Sequence, residues 1–503
     1  MPIGAEGHGT RMSREFNREK SRGKDSHRAG KKRNGEVKDR AKGMARPADQ
    51  VILSQGQSIV LTIRSIGING EGIGYYKKKV VFVEGALPEE VVIAEITKVQ
   101  KNLAYAKLVR IKERSPQRTK PNCPVYYECG GCQLQHLDYS GQLKAKKEIV
   151  VEAFQRYFRS EKQPEVRETI GMDYSWGYRN KVQLQVGKTG KKLIAGLYSE
   201  GSHQLIDISD CPVQHPMTNQ VVKATKVVLD KLGIPIYDEY KQTGIIRTIV
   251  VRVGVYTEKA QLTLVTTAEP IPKVNELITE LRASMPFLKS IMQNINPQKT
   301  PLIFGERTKL LWGEERINER LGHLQFSLSA RAFFQLNPKQ TVTLYDLVKQ
   351  ACGLTGKEHI VDAYCGVGTI GLWLAPQARS VRGIEIIPEA VTDATENAKQ
   401  SDIKNAKFYV GKAEELLPQW AREGYRPDIV VVDPPRTGCD EQLLKTLLSS
   451  KPKKIIYVSC NPSTLAKDCD ILRRQYRIEW IQPVDMFSQT SHVEVIVKLE
   501  KAK

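Results

Sequence analysis

The stretch "HIVDAYCGVGTIG", residues 359–371, decides how the chain folds. It is a short apolar strand that runs straight into a glycine loop and out into a helical stretch. After about Ala330 the same unit returns: "SVRGIEI", "AKFYVG", "DIVVVD", "KIIYVSC" and "VEVIVKL" are separated by segments of helical length. Strands alternating with helices in this way predict an α/β region built on a mostly parallel, doubly wound sheet of the Rossmann-like kind. Ligands of such a sheet belong outside the carboxyl ends of its strands. We place this region at 331–503.

Working outward, the chain of 503 residues is long enough for about three domains at roughly 150 residues each. From Gln57 to about Ile111, the runs "SIVLTIRSI", "KVVFVEGAL", "EVVIAEIT" and "LAYAKLVRI" are punctuated by turns such as "GINGEGIGYY". Short strands with glycine punctuation predict a small closed β-barrel of the oligonucleotide-binding (OB-like) type, assigned to 51–112. Barrel closure alone accounts for the glycines. Residues 113–330 mix helical stretches such as "QLKAKKEIVVEAFQRYF" with alternating strands and read as an α+β central domain. No internal repeat is evident.

The formal net charge is +21, and 14 lysines and arginines against 7 acids fall in residues 1–50. With so few apolar side chains, 1–50 is expected to be a basic disordered tail, serving as an RNA tether or a solubilising extension. The charge outside the tail is still +14, the difference between +21 and +7. A polyanion, nucleic acid first, is the expected partner. No run approaches the roughly 18 apolar residues of a membrane span, and the N-terminus lacks the apolar core of a signal peptide. A cytoplasmic protein without a membrane partner, and a monomer, is expected.

The glycine loop satisfies G-x-G-x-x-G at Gly366, Gly368 and Gly371, and Glu385 ends the next strand. A dinucleotide would fit that arrangement, with its pyrophosphate on the loop and its ribose on the acid. S-adenosylmethionine fits it equally. "VVVDPPR" (430–436) tips the choice toward S-adenosylmethionine, since it delivers an acid and two prolines to the same sheet edge.

"VSCNP" (458–462) brings Cys460 to that edge too, beside Asp433 and Tyr364. A lone cysteine is more often a small buried residue. Here prolines 435 and 462 stiffen the flanking loops, and a thiol so held can attack an electron-poor carbon. Glu494 in "SHVEVIVKL" is the candidate base, and His492, two residues earlier on the same strand face, is the runner-up.

"AFFQLNP" (332–338), "DAYCGVGTIG", "DPPR", "SCNP" and "HVE", in this order, resemble the RNA (uracil-5-)-methyltransferases, in particular the branch with a TRAM domain that acts on 23S ribosomal RNA. The resemblance runs from about Gln57 to Leu499. It implies a class I methyltransferase domain in which Cys460 is the nucleophile and Glu494 the base. It also implies that Gln335, Tyr364, Glu385 and Asp433 line the S-adenosylmethionine site, that Phe333 stacks on the substrate base, and that 57–111 is a TRAM barrel. The chemistry needs such a pair. Carbon 5 of uracil is a poor nucleophile, and thiolate addition at carbon 6 carries negative charge to it. The uridine must be extruded from folded RNA into the cleft. Arg179 and Lys181 are candidate RNA contacts, with an exposed basic strand edge as the alternative.

Nine cysteines in a reducing compartment read as thiols, ligands or catalysts rather than disulfides. Cys123, Cys129 and Cys132 in "CPVYYECGGC", with the distant Cys211, can enclose zinc or an iron–sulfur cluster. The family resemblance implies a [4Fe-4S] cluster at these four positions. Cys352, Cys439 and Cys469 are read as structural, and Cys365 as a small residue of the cofactor loop. The rivals are a tRNA T-loop uracil methyltransferase, an amine methyltransferase, a 5-methylcytosine enzyme, and a non-catalytic RNA-binding ribosome assembly factor. The amine enzyme leaves Cys460 and Glu494 without duties. The cytosine enzymes generally want a second cysteine where this chain has prolines.

Overall fold

The computed structural model describes residues 53–159, 163–199 and 201–502, so the expectation for the tail at 1–50 lies outside the described residues. Strands β1 (Ser58–Ile66), β2 (Gly72–Tyr76), β3 (Lys79–Glu84), β4 (Val91–Val99) and β5 (Leu103–Glu113) close into a barrel in the order β1-β2-β3-β5-β4. Alternation along β1 sends Ile59, Leu61 and Ile63 inward to meet Val81, Val83 and Val92. Closure forces backbones together: a Cβ at Gly74 would stand 2.7 Å from the Thr62 carbonyl oxygen on the neighbouring strand. At the barrel exit, Arg118 grips the buried Glu90 carboxylate through Nε and Nη2, at 2.6 and 2.8 Å.

The central region opens with the single turn α1 (Tyr126–Cys129) and the long helix α2 (Tyr139–Tyr157). Its sheet comprises β6 (Lys181–Thr189), β7 (Lys192–Tyr198), β8 (Leu205–Asp207), β9 (Ile246–Gly254), β10 (Lys259–Thr266), β11 (Leu288–Ile295) and β12 (Arg307–Gly313). Their order is β12-β11-β10-β9-β6-β7-β8, antiparallel except where β10 meets β11. Helices α3 (Pro216–Lys231) and α4 (Val274–Ser284) cover one face, where Val221, Leu229 and Leu277 meet Val251 and Leu262. Lys181, the first residue of β6, pairs with Arg252 of β9, and Arg179, just before the strand, bridges to Gln214.

A hairpin, β13 (Ile317–Leu321) and β14 (Leu324–Leu328), leads into the third region. There α5 (Pro338–Cys352), β15 (His359–Ala363), α6 (Thr369–Leu374), β16 (Ser380–Glu385), α7 (Pro388–Gln400), β17 (Ala406–Val410), α8 (Ala413–Arg422) and β18 (Ile429–Val432) follow one another. The chain ends with α9 (Glu441–Ser450), β19 (Lys454–Ser459), α10 (Pro462–Leu472), β20 (Tyr476–Val484) and β21 (Glu494–Lys501). The sheet order is β17-β16-β15-β18-β19-β21-β20; the first five strands are parallel, and β21 is antiparallel to both neighbours. This is the doubly wound α/β fold that the strand rhythm predicts, with β20 as an addition the rhythm does not contain.

Both faces of this sheet are buried. Val430, Val432, Ile455 and Tyr457 point into one core, and Val431, Ile456 and Val458 into the other. Each such side chain contributes about 1.5–3 kcal/mol by leaving water. Helix α2 spends its apolar face here rather than on the central sheet: Ile149, Val150 and Phe154 share a core with Leu465, Cys469 and Leu472 of α10. Among the described residues no helix is long and apolar enough to cross a membrane.

Candidate active site

The strand order turns back on itself between β16 and β18, on either side of β15, and such a switch point opens a crevice at the carboxyl ends of the strands. Asp433 follows β18 directly, and Cys460 follows β19. The antiparallel last strand completes the set. Ser459 pairs with Val495, so Glu494 enters its strand opposite Cys460. A parallel strand would carry its first residue to the opposite end of the sheet.

Cys460 senses the charges of Glu494, Asp433 and Arg436, so these four side chains converge. Burial pushes the thiol up to about 12; the two carboxylates add to that, and Arg436 opposes it. The loops are tied to one another. Asn461 caps α10 by accepting from the Ser463 amide at 3.1 Å, while its Nδ2 donates to the Arg436 carbonyl at 2.9 Å. Arg436 lies against His492, with Nη2 at 3.3 and 3.4 Å from its ring nitrogens.

On the other side of the crevice, Phe333, Gln335, Tyr345, Tyr364, Asp362 and Asp433 line one enclosed cavity. Phe333 is 52 % exposed, unusual for a large aromatic side chain. The segment bearing it is held from the central sheet: Asn180 Nδ2 donates to the Gln335 carbonyl at 3.2 Å, and Arg252 Nη2 to the Ala332 carbonyl at 2.5 Å. Tyr364 adopts φ +67°, a left-handed conformation that side chains avoid unless the surroundings impose it. Gly368, at φ +83°, passes so near Phe408 that a Cβ would meet the ring at 2.8 Å. Glu385 ends β16, and its two carboxylate oxygens accept from the Gly366 and Ile387 amides at 3.1 and 3.0 Å.

Burial raises the Asp433 carboxyl to about 7. Asp362 is raised to about 8, by burial first and then by the charges of Asp433 and Glu385. Its Oδ2 accepts from the Gly371 amide at 2.7 Å, and its buried Oδ1 has no hydrogen-bond partner among the described residues. Two buried acids facing one cavity suit a cationic ligand. Asp362 and Arg436 stand within quoted motifs, but sequence reasoning assigned them no role. The signal was available for Asp362, an acid in the last turn of strand before a glycine loop.

Cys123, Cys129, Cys132 and Cys211 form a second group. Burial raises all four thiols, Cys129 to about 11 and Cys132 to about 12, and Cys132 feels the charge of the other three. Among the described residues no group of three or more His, Cys, Asp or Glu is gathered as the ligands of one metal ion would be. Arg179 acts on Cys211. Lys181 lies over the Phe304 ring at 5.5 Å. Cys352, Cys365 and Cys469 are buried, and the Cys439 amide donates to Asp468 at 2.8 Å.

Residues 305–502 match the family model described as tRNA (Uracil-5-)-methyltransferase, and residues 53–109 match the TRAM domain. An uncharacterized RNA methyltransferase of Bacillus anthracis is 56 % identical over 447 residues, covering 89 % of this chain and 97 % of that protein. One from Listeria monocytogenes is 51 % identical over 450 residues, covering 89 % and 98 %. Among solved structures, the Pyrococcus abyssi tRNA (uracil-54, C5)-methyltransferase in complex with S-adenosyl-L-homocysteine superposes with a TM-score of 0.70 at 30 % identity, covering 88 % of this chain and all of that one.

Proposed function

The chain belongs to the RNA (uracil-5-)-methyltransferases, S-adenosylmethionine-dependent enzymes here equipped with an N-terminal TRAM domain, and from that premise we propose that it methylates carbon 5 of a uridine in 23S ribosomal RNA through a covalent Cys460 adduct. The observation that carries this reading is the convergence of Cys460, Glu494, Asp433 and Arg436 at one sheet edge. Phe333 receives the extruded base. The Cys460 thiol gives up its proton to water and the thiolate adds to carbon 6; the electron pair displaced from the ring double bond gives carbon 5 the nucleophilicity to take the methyl group, whose former bonding pair would stay on the donor as a neutral thioether. Glu494 then removes the proton on carbon 5. That C–H pair restores the double bond, and the sulfur departs with the pair from its bond to carbon 6.

The donor, when bound, supplies an electrophilic methyl on a sulfonium. Gln335, Tyr364, Glu385 and Asp433 form its site in this reading, with Asp433 and Asp362 as counter-charges. The domains divide as 51–112 for RNA binding, 113–330 for the thiol-bearing central part and 331–503 for catalysis. The enzyme acts as a monomer in the cytoplasm, where its RNA is.

The donor chemistry of four part-buried thiols, which sense one another's charge, fits a [4Fe-4S] cluster held by Cys123, Cys129, Cys132 and Cys211. Its contribution is structural, joining the 123–132 segment to Cys211. No step of methyl transfer runs through it.

A second reading, methylation of a tRNA T-loop uridine, is favoured by the likeness to the Pyrococcus abyssi tRNA enzyme. Mapping 5-methyluridine in ribosomal and transfer RNA from a strain lacking the gene decides between them. Loss at a 23S position, restored by the wild-type gene but not by Cys460→Ala, is the expected outcome. Loss confined to tRNA contradicts the ribosomal assignment.

A further inference from the structure

The connection between β20 and β21, residues 485–493, is built unlike a surface loop. Every residue in it except Phe487 and His492 is buried, and five of the buried ones are polar: Asp485, Ser488, Gln489, Thr490 and Ser491. Connections normally run over the surface because buried backbone and polar side chains need partners. Here the partners come from at least four other parts of the chain.

Helix α2 supplies Lys146, whose amine meets Asp485 Oδ1 at 2.5 Å, and Tyr139, whose hydroxyl donates to Asp485 Oδ2 at 2.8 Å. Ser491 Oγ reaches into the barrel and donates to the Ile68 carbonyl at 2.8 Å. Asn337, the residue that caps α5, donates to the Met486 carbonyl at 3.1 Å. The contacts are densest at Gln489. Its amide donates to Gln142 Oε1 at 2.9 Å, and its own Oε1 accepts from Gln142 Nε2 at 3.0 Å. Its carbonyl accepts two amides, from Gln133 at 3.1 Å and Leu134 at 2.9 Å, the two residues directly after Cys132. All this holds Gln489 at φ +69°, which a non-glycine residue adopts only where its surroundings overdetermine it.

We propose that Gln489 is a positioning residue for the methylation reaction: clasped by Gln142 and by the backbone of residues 133–134, it sets where Glu494 stands against Cys460. The proposal rests on the reading of Glu494 as the base. Four residues separate the two, and the intervening backbone is itself fixed, the His492 amide donating to Thr490 Oγ1 at 3.3 Å and Thr490 Oγ1 to the Phe487 carbonyl at 2.7 Å. Abstraction of a proton from carbon demands close placement, and a displacement of about 1 Å can cost about a hundredfold in rate. The clasp therefore acts on the last step, in which the carboxylate takes the carbon 5 proton, the C–H pair reforms the ring double bond and the thiolate leaves carbon 6. It does not act on the earlier attack and methyl transfer. Lys146 and Asp485 are unsuitable probes, because removing either leaves a buried charge and weakens the fold.

The test compares full-length wild-type enzyme, Gln489→Gly, Gln142→Ala and Glu494→Gln. Each is mixed with methyl-labelled S-adenosylmethionine and bulk RNA from a strain lacking the gene. Glycine keeps the left-handed backbone free of strain while deleting the side chain. In a single turnover, Gln489→Gly and Gln142→Ala are expected to transfer the methyl group within about threefold of wild type. Release of methylated RNA should slow by about tenfold or more, with a labelled RNA–protein adduct resistant to denaturant. A purely structural contact does not produce that adduct. Transfer and release falling together, neither changing, or both variants proving insoluble would overturn the proposal. Glu494→Gln is the reference: if it releases product like wild type, the assignment of the base fails instead, and the two failures are thereby told apart.

Discussion

At the level of single residues, the site is a contest between burial and charge. Burial first, then the Glu494 and Asp433 carboxylates, push the Cys460 thiol up to about 12 and so favour its neutral form. In the proposed mechanism its attack draws on positive charge, from Arg436 and from the donor's sulfonium when bound. Asp433 poses the converse case. Its raised carboxyl, at about 7, is held neutral in acid, and a cationic donor favours the ionised form. Donor binding should therefore expel a proton, and affinity should rise as pH climbs toward about 7, by up to tenfold per unit, before levelling. Asp362, at about 8 in the same cavity, extends that rise. We expect titration calorimetry with S-adenosylmethionine across pH 5.5–8.5 to show this, and Asp433→Asn to weaken binding and make the dependence below pH 7 shallower, leaving the part that Asp362 contributes. A dependence unchanged by the substitution would assign it to Asp362. The same shifts carry a stability consequence. Raised acids stabilise the donor-free fold fully below their unfolded value near 4, and that contribution is lost as pH rises through about 7 and 8. The placement of Cys460, Asp433 and Glu385 at one sheet edge was legible, because each sits in a motif at a strand end. The depth of burial that sets the protonation states was not, since it depends on packing from distant segments.

Among elements, the parallel strands announced themselves. Runs such as "IVVV" in β18 are apolar throughout because both sheet faces are covered. Strand β20 did not, since "YRIEWIQPV" mixes charges and a proline and pairs with β21 at the edge of the sheet. The antiparallel sense of β21, which brings Glu494 to Cys460, follows from topology and leaves no mark in local sequence. Nor does the burial of Lys146, one of several lysines in α2, which only the distant Asp485 explains. Three thiols within ten residues were legible from spacing, whereas nothing local marks the distant Cys211 as their partner. The proposed cluster would cross-link the segment around α1 to the loop before α3, two stretches about eighty residues apart. Purified anaerobically, the protein should be brown and contain iron and acid-labile sulfide in equal amounts, both lost together with Cys132→Ser. Colourless protein with one zinc would contradict the cluster.

At the scale of the whole molecule, barrel, central sheet and catalytic sheet are fastened at residues that a domain-by-domain reading keeps apart. Arg118 and Glu90 lock the barrel to the central segment, α2 shares its core with α10, and loop 485–493 takes bonds from all sides. The net charge of +21 gives this assembly a field suited to RNA, while the chemistry is confined to one crevice. The central claim is that the crevice acts through a covalent sulfur–pyrimidine bond. A 5-fluorouridine-substituted 23S ribosomal RNA transcript tests it directly, because fluorine at carbon 5 cannot be removed as a proton and arrests the reaction at the adduct. With S-adenosylmethionine present, mass spectrometry should find a methylated fluoropyrimidine on the peptide bearing Cys460, absent from Cys460→Ala. RNA that binds and is methylated when unsubstituted, yet gives no adduct at Cys460 when fluorinated, would contradict the account.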